Sequence, residues 1–175
     1  MPKPVGAGRL LGTLGGMPVA HLHPLLIDGL IPRMSGWKFV ARHRHFLRRK
    51  TEGTLWFMHL SFINHEQDFD IAVDVAVEFT KGRKSVCVVG AQLGNIAGIG
   101  QTRFKVTGTG DIPSAVEGIL KEFETVGVPF LDRFSRPTEV LTVLKQGRRE
   151  AGLISPINAR HAQQIQALEQ LIDAT

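Results

Sequence analysis

Residues 69–79 of this 175-residue chain have the sequence Phe-Asp-Ile-Ala-Val-Asp-Val-Ala-Val-Glu-Phe, and this stretch decides the fold. Successive side chains of a β-strand point to opposite faces of the sheet. One face of the stretch carries only apolar residues, namely Ile71, Val73, Val75, Val77 and Phe79. The other face carries Asp70, Asp74 and Glu78. The alternation predicts a strand with one face in a core and one face in water.

Segments of similar character lie on both sides of this strand. Residues 37–49, 54–63 and 85–93 are rich in aromatic and β-branched residues, and short polar turns at 51–53, 64–67 and 80–83 separate them. Connections this short join antiparallel neighbours. A further strand over residues 102–107 follows the glycine-rich loop 94–100. The sequence therefore predicts an antiparallel meander of four to five strands.

The facing of the neighbouring strands follows from the same alternation. If Trp56, Met58, Leu60 and Phe62 join the apolar face, then Leu55, Phe57, His59 and Ser61 point outward with the acids. For the first strand we expect the inward residues to be Phe39, His43, His45 and Leu47. The outward residues expected on that strand are Arg42, Arg44 and Arg48.

Helical patterns flank the predicted sheet. Residues 23–31 suit a short helix with proline in its first turn, and Pro32 stops it. Three later helices have candidate N-caps at Asp111, Ser135 and Asn158, and Gly127 and Gly147 are expected to end the first two. The expected class is α+β, with the sheet packed by an N-terminal helix and two to three C-terminal helices.

The last predicted helix carries a narrow apolar stripe. Its members are Ile165, Leu168, Leu171 and Ile172. A stripe of this kind must be covered by the domain itself or by a second copy of the chain. The sequence therefore allows a homodimer formed through the C-terminal helix.

The remaining organisation is simple. Residues 1–17 are glycine-rich and predict a flexible leader, and residues 18–175 predict a single α+β domain. No apolar run approaches the roughly 20 residues that a membrane-spanning helix needs. Glycines and a proline interrupt the start of the chain, which argues against a secretory signal. We expect a soluble, cytoplasmic protein without a membrane partner.

The sequence contains no recognisable catalytic or metal-binding pattern. Cys87 lies in an apolar run and is expected to be a buried, inert thiol. His43 and His45 lack an evident third metal ligand, and evenly spaced acids near His59 are typical of a solvated face. No phosphate loop and no nucleophile elbow occurs. We therefore expect no catalytic residue, no metal and no cofactor.

Positive charge is concentrated in one segment. The chain has a net charge of +5, and no acid lies between Asp28 and Glu52. The candidate binding residues in this segment are Arg42, Arg44, Arg48, Arg49 and Lys50. With aromatic neighbours they resemble a surface for single-stranded nucleic acid. Alternatively, the arginines reach across the middle strand to the acids of residues 70–78 and are neutralised there.

Three short motifs carry a resemblance to a known group of proteins. They are Gly36-Trp37-Lys38-Phe39, the segment His45-Phe46-Leu47-Arg48, and residues 128–135 with the sequence Val-Pro-Phe-Leu-Asp-Arg-Phe-Ser. Over residues 22–146 the chain resembles a bacterial family classed as a domain of unknown function. Some members are thought to lie in toxin and immunity gene neighbourhoods. The resemblance implies a bacterial protein with an immunity-like role and implies no catalytic residue.

The function expected from the sequence is that of a non-enzymatic protein-binding module, immunity-protein-like, with an unidentified protein partner. The first alternative is a binder of single-stranded nucleic acid that uses the basic strand 42–50. The second alternative is an enzyme whose site the sequence does not reveal.

Overall fold

A computed structural model describes residues 19–174 of the chain and shows an α+β fold. The strands are β1 Lys38–Val40, β2 His45–Thr51, β3 Thr54–Asn64, β4 Phe69–Lys81, β5 Lys84–Gln92 and β6 Phe104–Val106. They form one antiparallel sheet in the order β1-β2-β3-β4-β5, and β6 pairs with β4. The predicted meander is confirmed. The predicted leader, residues 1–17, lies outside the described residues.

The decisive strand β4 lies at the centre of the sheet, as its alternation predicts. Its apolar side chains, residues 71, 73, 75, 77 and 79, are at most 1% exposed. They pair with apolar residues on both neighbours, for example Val75 with Met58 of β3 and Val77 with Val89 of β5. The acids on the opposite face are half-buried. One face of the sheet, here called the core face, therefore carries the hydrophobic core.

The segment 37–49 is two strands rather than the single strand predicted. After β1 the chain makes a 3₁₀ turn at Ala41–His43, and Arg44 adopts a left-handed conformation with φ of 50°. The turn reverses the chain and changes which side chains point inward. Phe46 pairs with Met58 and is 1% exposed, whereas His45 pairs with His59 on the opposite face. The predicted inward facing of His43, His45 and Leu47 is therefore wrong.

The fifth predicted strand forms as β6, shortened to three residues. It pairs with the beginning of β4, whereas β5 pairs with the rest of β4 from Asp74 onward. Because β3 occupies the other edge of β4, β5 and β6 follow one another along the same edge. The chain between them leaves the sheet and forms a short helix where a glycine-rich loop was expected.

The helices are α1 Leu22–Leu30, α2 Leu93–Ile96, α3 Ile112–Glu122, α4 Val128–Arg133, α5 Pro137–Gln146, α6 Arg149–Ile154 and α7 His161–Ile172. A π-helical turn, Phe123–Gly127, joins α3 to α4 without a break. The sequence predicts that Gly127 ends the helix, but Gly127 lies inside it. Among residues 19–174 no helix has both the length and the apolar character needed to cross a membrane.

The predicted helix caps are only partly correct. Gly147 ends α5 in the left-handed conformation with φ of 62°, as predicted. The side chains of Asp111, Ser135 and Asn158 cap no helix. Asp111 instead accepts hydrogen bonds from the backbone N–H and the hydroxyl of Thr107, and these bonds lower the pKa of its carboxyl group. The Asp111 side chain thus stabilises the loop that precedes α3.

The C-terminal helix α7 packs on its own domain. Leu168 is completely buried, and Ile165 and Leu171 pack against the core at its edge. The helix contacts α5 and the strand β5, and Gln164 Nε2 donates a hydrogen bond to the Val88 carbonyl at 3.1 Å. The apolar stripe thus has a partner within the chain. A homodimer through this helix stays a prediction.

Candidate functional site

The five predicted binding residues lie together at the β1–β2 edge of the sheet, and all five are exposed. We call this set, Arg42, Arg44, Arg48, Arg49 and Lys50, the cationic edge. Arg42 is in the 3₁₀ turn and Arg44 is the left-handed residue after it, whereas the other three lie along β2. The cations are therefore distributed along β2, from the turn that precedes it to its far end.

Three members of the cationic edge lie over aromatic rings. The Arg44 guanidinium carbon is 5.4 Å from the centre of the Phe62 ring. The Arg48 guanidinium carbon and the Lys50 Nζ are 5.9 Å and 4.4 Å from the Trp56 ring. Such cation–π contacts hold the aliphatic stems against the sheet and contribute roughly 0.5–1 kcal/mol each at exposed sites. They place these charges at the rim of the core face.

The arginines of the cationic edge have no carboxylate partner among residues 19–174. Lys50 pairs with Asp132 at 3.1 Å, and Arg49 donates to the backbone carbonyl of Glu52. The expectation that the arginines reach across to the acids of β4 is wrong. Those acids lie on the opposite face, where Asp70 contacts His65 and Arg103 and Asp74 lies near His59.

The face opposite the core, here called the open face, carries an apolar patch beside Arg49. The patch consists of Leu47, Leu55 and Phe57, and all three side chains are half-buried. Leu47 pairs with Phe57 across β2 and β3, and Arg49 pairs with Leu55. The outward facing predicted for residues 55 and 57 is confirmed. On this face the apolar patch therefore adjoins one member of the cationic edge, Arg49, whereas Arg44, Arg48 and Lys50 lie over core-face rings.

A row of polar residues crosses the open face. His45, His59, Asp74 and Gln92 occupy paired positions on the four strands β2 to β5. Burial, followed by the charges of His43 and His59, lowers the pKa of His45. Gln92 donates to the Thr102 carbonyl at 2.8 Å, but its Oε1 has no hydrogen-bond partner within the described part of the chain. Sequence patterns gave no signal for Gln92.

The row ends in a groove of about 730 Å³ on the open face. Small residues, Ala72, Ala76 and Gly90, form part of its floor, and α6 and the loop after α2 contribute walls. A Cβ atom at Gly90 would lie 2.4 Å from the Val75 carbonyl oxygen, so only glycine fits there. The groove adds a concave region to an otherwise open surface.

The polar row does not form a hydrolytic site. Ser61 Oγ and Asp74 Oδ2 both approach the same nitrogen of His59, Nδ1, at 3.3 Å and 4.0 Å. A nucleophilic triad needs the serine and the carboxylate on different ring nitrogens. Cys87 is buried, and desolvation raises the pKa of its thiol to about 11. Among the described residues, no three His, Cys, Asp or Glu side chains are placed to hold a metal ion.

The cationic edge is thus an exposed set of cations, with a half-buried apolar patch next to Arg49. No protein-family model, no curated protein and no solved structure matches this chain in comparisons with known proteins.

Proposed function

We propose that this protein is a non-enzymatic protein-binding module that docks an acidic partner protein on its cationic edge and apolar patch. The observation that carries the proposal is the set of four exposed arginines, Arg42, Arg44, Arg48 and Arg49, that lack a carboxylate partner among residues 19–174. Unpaired guanidinium groups are available to carboxylates of another molecule, with which they form bidentate pairs.

The composition of the surface supports a protein partner. Arginine and aromatic residues are enriched in protein interfaces, whereas lysine is depleted. The cationic edge has four arginines and one lysine, and one of the arginines, Arg49, pairs with Leu55 of the apolar patch. Burial of the apolar patch would supply about 25 cal/mol per Å² removed from water. The arginines would add specificity and a faster rate of association.

The acids on the open face favour a folded protein over a polyanion. Glu78 pairs with Leu55, which pairs in turn with Arg49, so the acid lies two strands away from the cation. Neighbouring strands are about 4.8 Å apart, so the separation is roughly 10 Å, close to the screening length at physiological salt. A surface that carries both positive and negative charges complements a protein surface, which also carries both, better than it complements a row of phosphates.

The resemblance in the motifs of residues 36–39, 45–48 and 128–135 extends the proposal to a partner class. An immunity-like module binds a toxin protein and holds it inactive without chemistry of its own. In this form of the proposal, the acidic surface that docks on the cationic edge belongs to a toxin.

The test starts with the intact chain as bait in a lysate of its native host, and mass spectrometry identifies the captured protein. Titration calorimetry then measures the affinity of the purified pair. Because interface arginines often contribute more than about 1 kcal/mol each, the double variant Arg44→Ala/Arg48→Ala should weaken binding by at least about tenfold. Arg148→Ala, an exposed arginine at the start of α6, is the matched control. Equal loss in both variants would contradict the proposal.

Single-stranded nucleic acid is the second candidate, because Arg44 and Lys50 lie over aromatic rings. The Trp56 ring, however, is 3% exposed and is not available for stacking on a base. We expect weak binding to an oligothymidine in fluorescence anisotropy, with affinity that falls steeply as salt increases. Submicromolar affinity at physiological salt, abolished by Arg44→Ala/Arg48→Ala, would make nucleic-acid binding the leading function.

A further inference from the structure

A second cavity lies between the strand β5 and the helix α7, at the edge of the sheet opposite the cationic edge. Its volume is about 320 Å³, near the lower end for sites that bind small molecules. Lys81, Lys84, Ser85, Val86, Gln163 and Gln170 are among the residues that line it. Ala167 completes the wall on α7, where its methyl group leaves room between the helix and the strand. We call this cavity the β5–α7 groove.

The charges at the β5–α7 groove are unbalanced. Lys81 and Lys84 are directly opposite each other in the ladder of β4 and β5, with Arg83 in the turn between them. No carboxylate of residues 19–174 contacts any of these three cations, and none lines the groove. Like charges directly opposite in a sheet destabilise the pairing. A bound anion would relieve this repulsion.

The neutral residues of the groove complement this charge. The side chains of Ser85, Gln163 and Gln170 form no hydrogen bond with another described residue, so their donors are available. Val86 and Ala167 are half-buried and supply an apolar floor. The groove therefore combines two ammonium groups and neutral donors at a polar mouth with an apolar wall.

We propose that the β5–α7 groove binds a small amphiphilic anion. A carboxylate or phosphate head lies between Lys81 and Lys84, and a short alkyl stem lies on Val86 and Ala167. The competing explanation is that the two lysines only offset the partial negative charge at the C-terminal end of α7, an effect of roughly 0.3–1 kcal/mol. The two explanations differ in whether an added anion is bound.

The experiment is an NMR titration of the ¹⁵N-labelled full chain with octanoate and, separately, with octyl phosphate. We expect saturable shifts of amide signals in residues 81–86 and 163–171, with Kd below about 1 mM for at least one probe. Tighter binding of octanoate would identify a carboxylate ligand, and tighter binding of octyl phosphate a phosphate ester. Either result supports the groove.

Controls separate the head group from the stem. 1-Octanol, octylammonium and inorganic phosphate should each bind at least about tenfold more weakly, since each lacks one of the two features. Lys81→Gln/Lys84→Gln should remove binding, whereas Lys121→Gln, at an exposed position on α3, should not. Ala167→Leu should also block the groove without a change of charge. Binding of octanol or inorganic phosphate as tight as that of the anionic probes would overturn the proposal, as would shifts that survive both groove variants.

Discussion

Gly127 and Gly152 are both helical glycines, yet the structure predicts opposite effects when each is replaced by alanine. A Cβ atom at Gly127 would lie 2.8 Å from Cδ2 of Phe123, 3.0 Å from Cδ2 of Leu93 and 3.3 Å from Cγ1 of Val75. A Cβ atom at Gly152 would meet no heavy atom within 4 Å. Gly127 is therefore a point of close approach between the α3–α4 helix and the sheet.

The magnitudes follow from two opposing terms. Replacing a helical glycine by alanine stabilises a protein by about 0.5–1 kcal/mol when the new methyl group fits. Gly152→Ala should gain this amount. Overpacking a well-filled core costs about 1–3 kcal/mol. The three side chains around Gly127 are at most 3% exposed and have little room to move, so Gly127→Ala should be destabilised by a net amount of about 1–2 kcal/mol.

Urea unfolding followed by tryptophan fluorescence measures both changes, since Trp37 and Trp56 pack against the core. The wild-type slope of free energy against urea should be retained in each variant, so the difference is read from the midpoints. A gain of stability in Gly127→Ala as large as that in Gly152→Ala would refute the close helix-to-sheet packing.

Three further predictions follow from buried groups. Burial lowers the pKa of His23 and of His45 from the ordinary value of 6.5, so the unfolded chain binds more protons than the folded chain as pH falls below 6.5. The free energy of unfolding should therefore drop between pH 7.5 and pH 5.5, and His45→Gln should reduce the drop; equal curves would exclude the contribution of His45. Cys87 should react with a thiol reagent at pH 8 only as fast as the protein unfolds, and rapid stoichiometric labelling of the folded chain would contradict its burial. Ser135→Ala removes the acceptor of the Trp56 Nε1–H bond at 2.6 Å and should cost about 1–3 kcal/mol in urea unfolding, whereas an unchanged midpoint would show that water replaces it.

The central part of the fold could be predicted because its signal is local. Strict alternation in residues 69–79 specifies both the strand and its buried face, and the short polar turns specify antiparallel neighbours. Gly147 is likewise a local signal, because a left-handed residue at a helix end favours glycine. Features of this kind need no knowledge of distant residues.

The sequence predictions are wrong where contacts between distant residues determine the local structure. Arg44 adopts the left-handed conformation although no glycine marks the turn, so the sequence predicts one strand, with the wrong side chains facing the core. The positions of Phe39 and Phe46 are the signal in the sequence, because these two aromatic residues would face opposite sides of a continuous strand. Gly127 lies at a packing contact, whereas Gly147 lies at a helix end. Both are glycines, and the sequence alone does not distinguish the two roles.

The sequence predicts only part of the candidate site, because the rest depends on contacts between distant residues. Clustering of Arg42 to Lys50 is visible in the sequence, and so is the outward facing of Phe57. Whether an arginine meets a carboxylate depends on which face of the sheet each occupies, and the sequence predicts the wrong face for Arg44 and Arg48. The absence of carboxylate partners around Arg44 and Arg48 among the described residues is therefore a finding of the three-dimensional structure.

Photo-crosslinking in the native host examines the docking surface on the intact chain. A photoreactive phenylalanine analogue replaces Phe57 in the apolar patch, and the same analogue at Lys121 on α3 is the control. The proposal predicts one protein adduct from position 57 whose crosslinked peptide is rich in Asp and Glu, its loss in the Arg44→Glu/Arg48→Glu background, and no such adduct from position 121. An adduct with nucleic acid, the same adducts from both positions, or no adduct from position 57 would contradict the proposed docking of an acidic protein on the cationic edge.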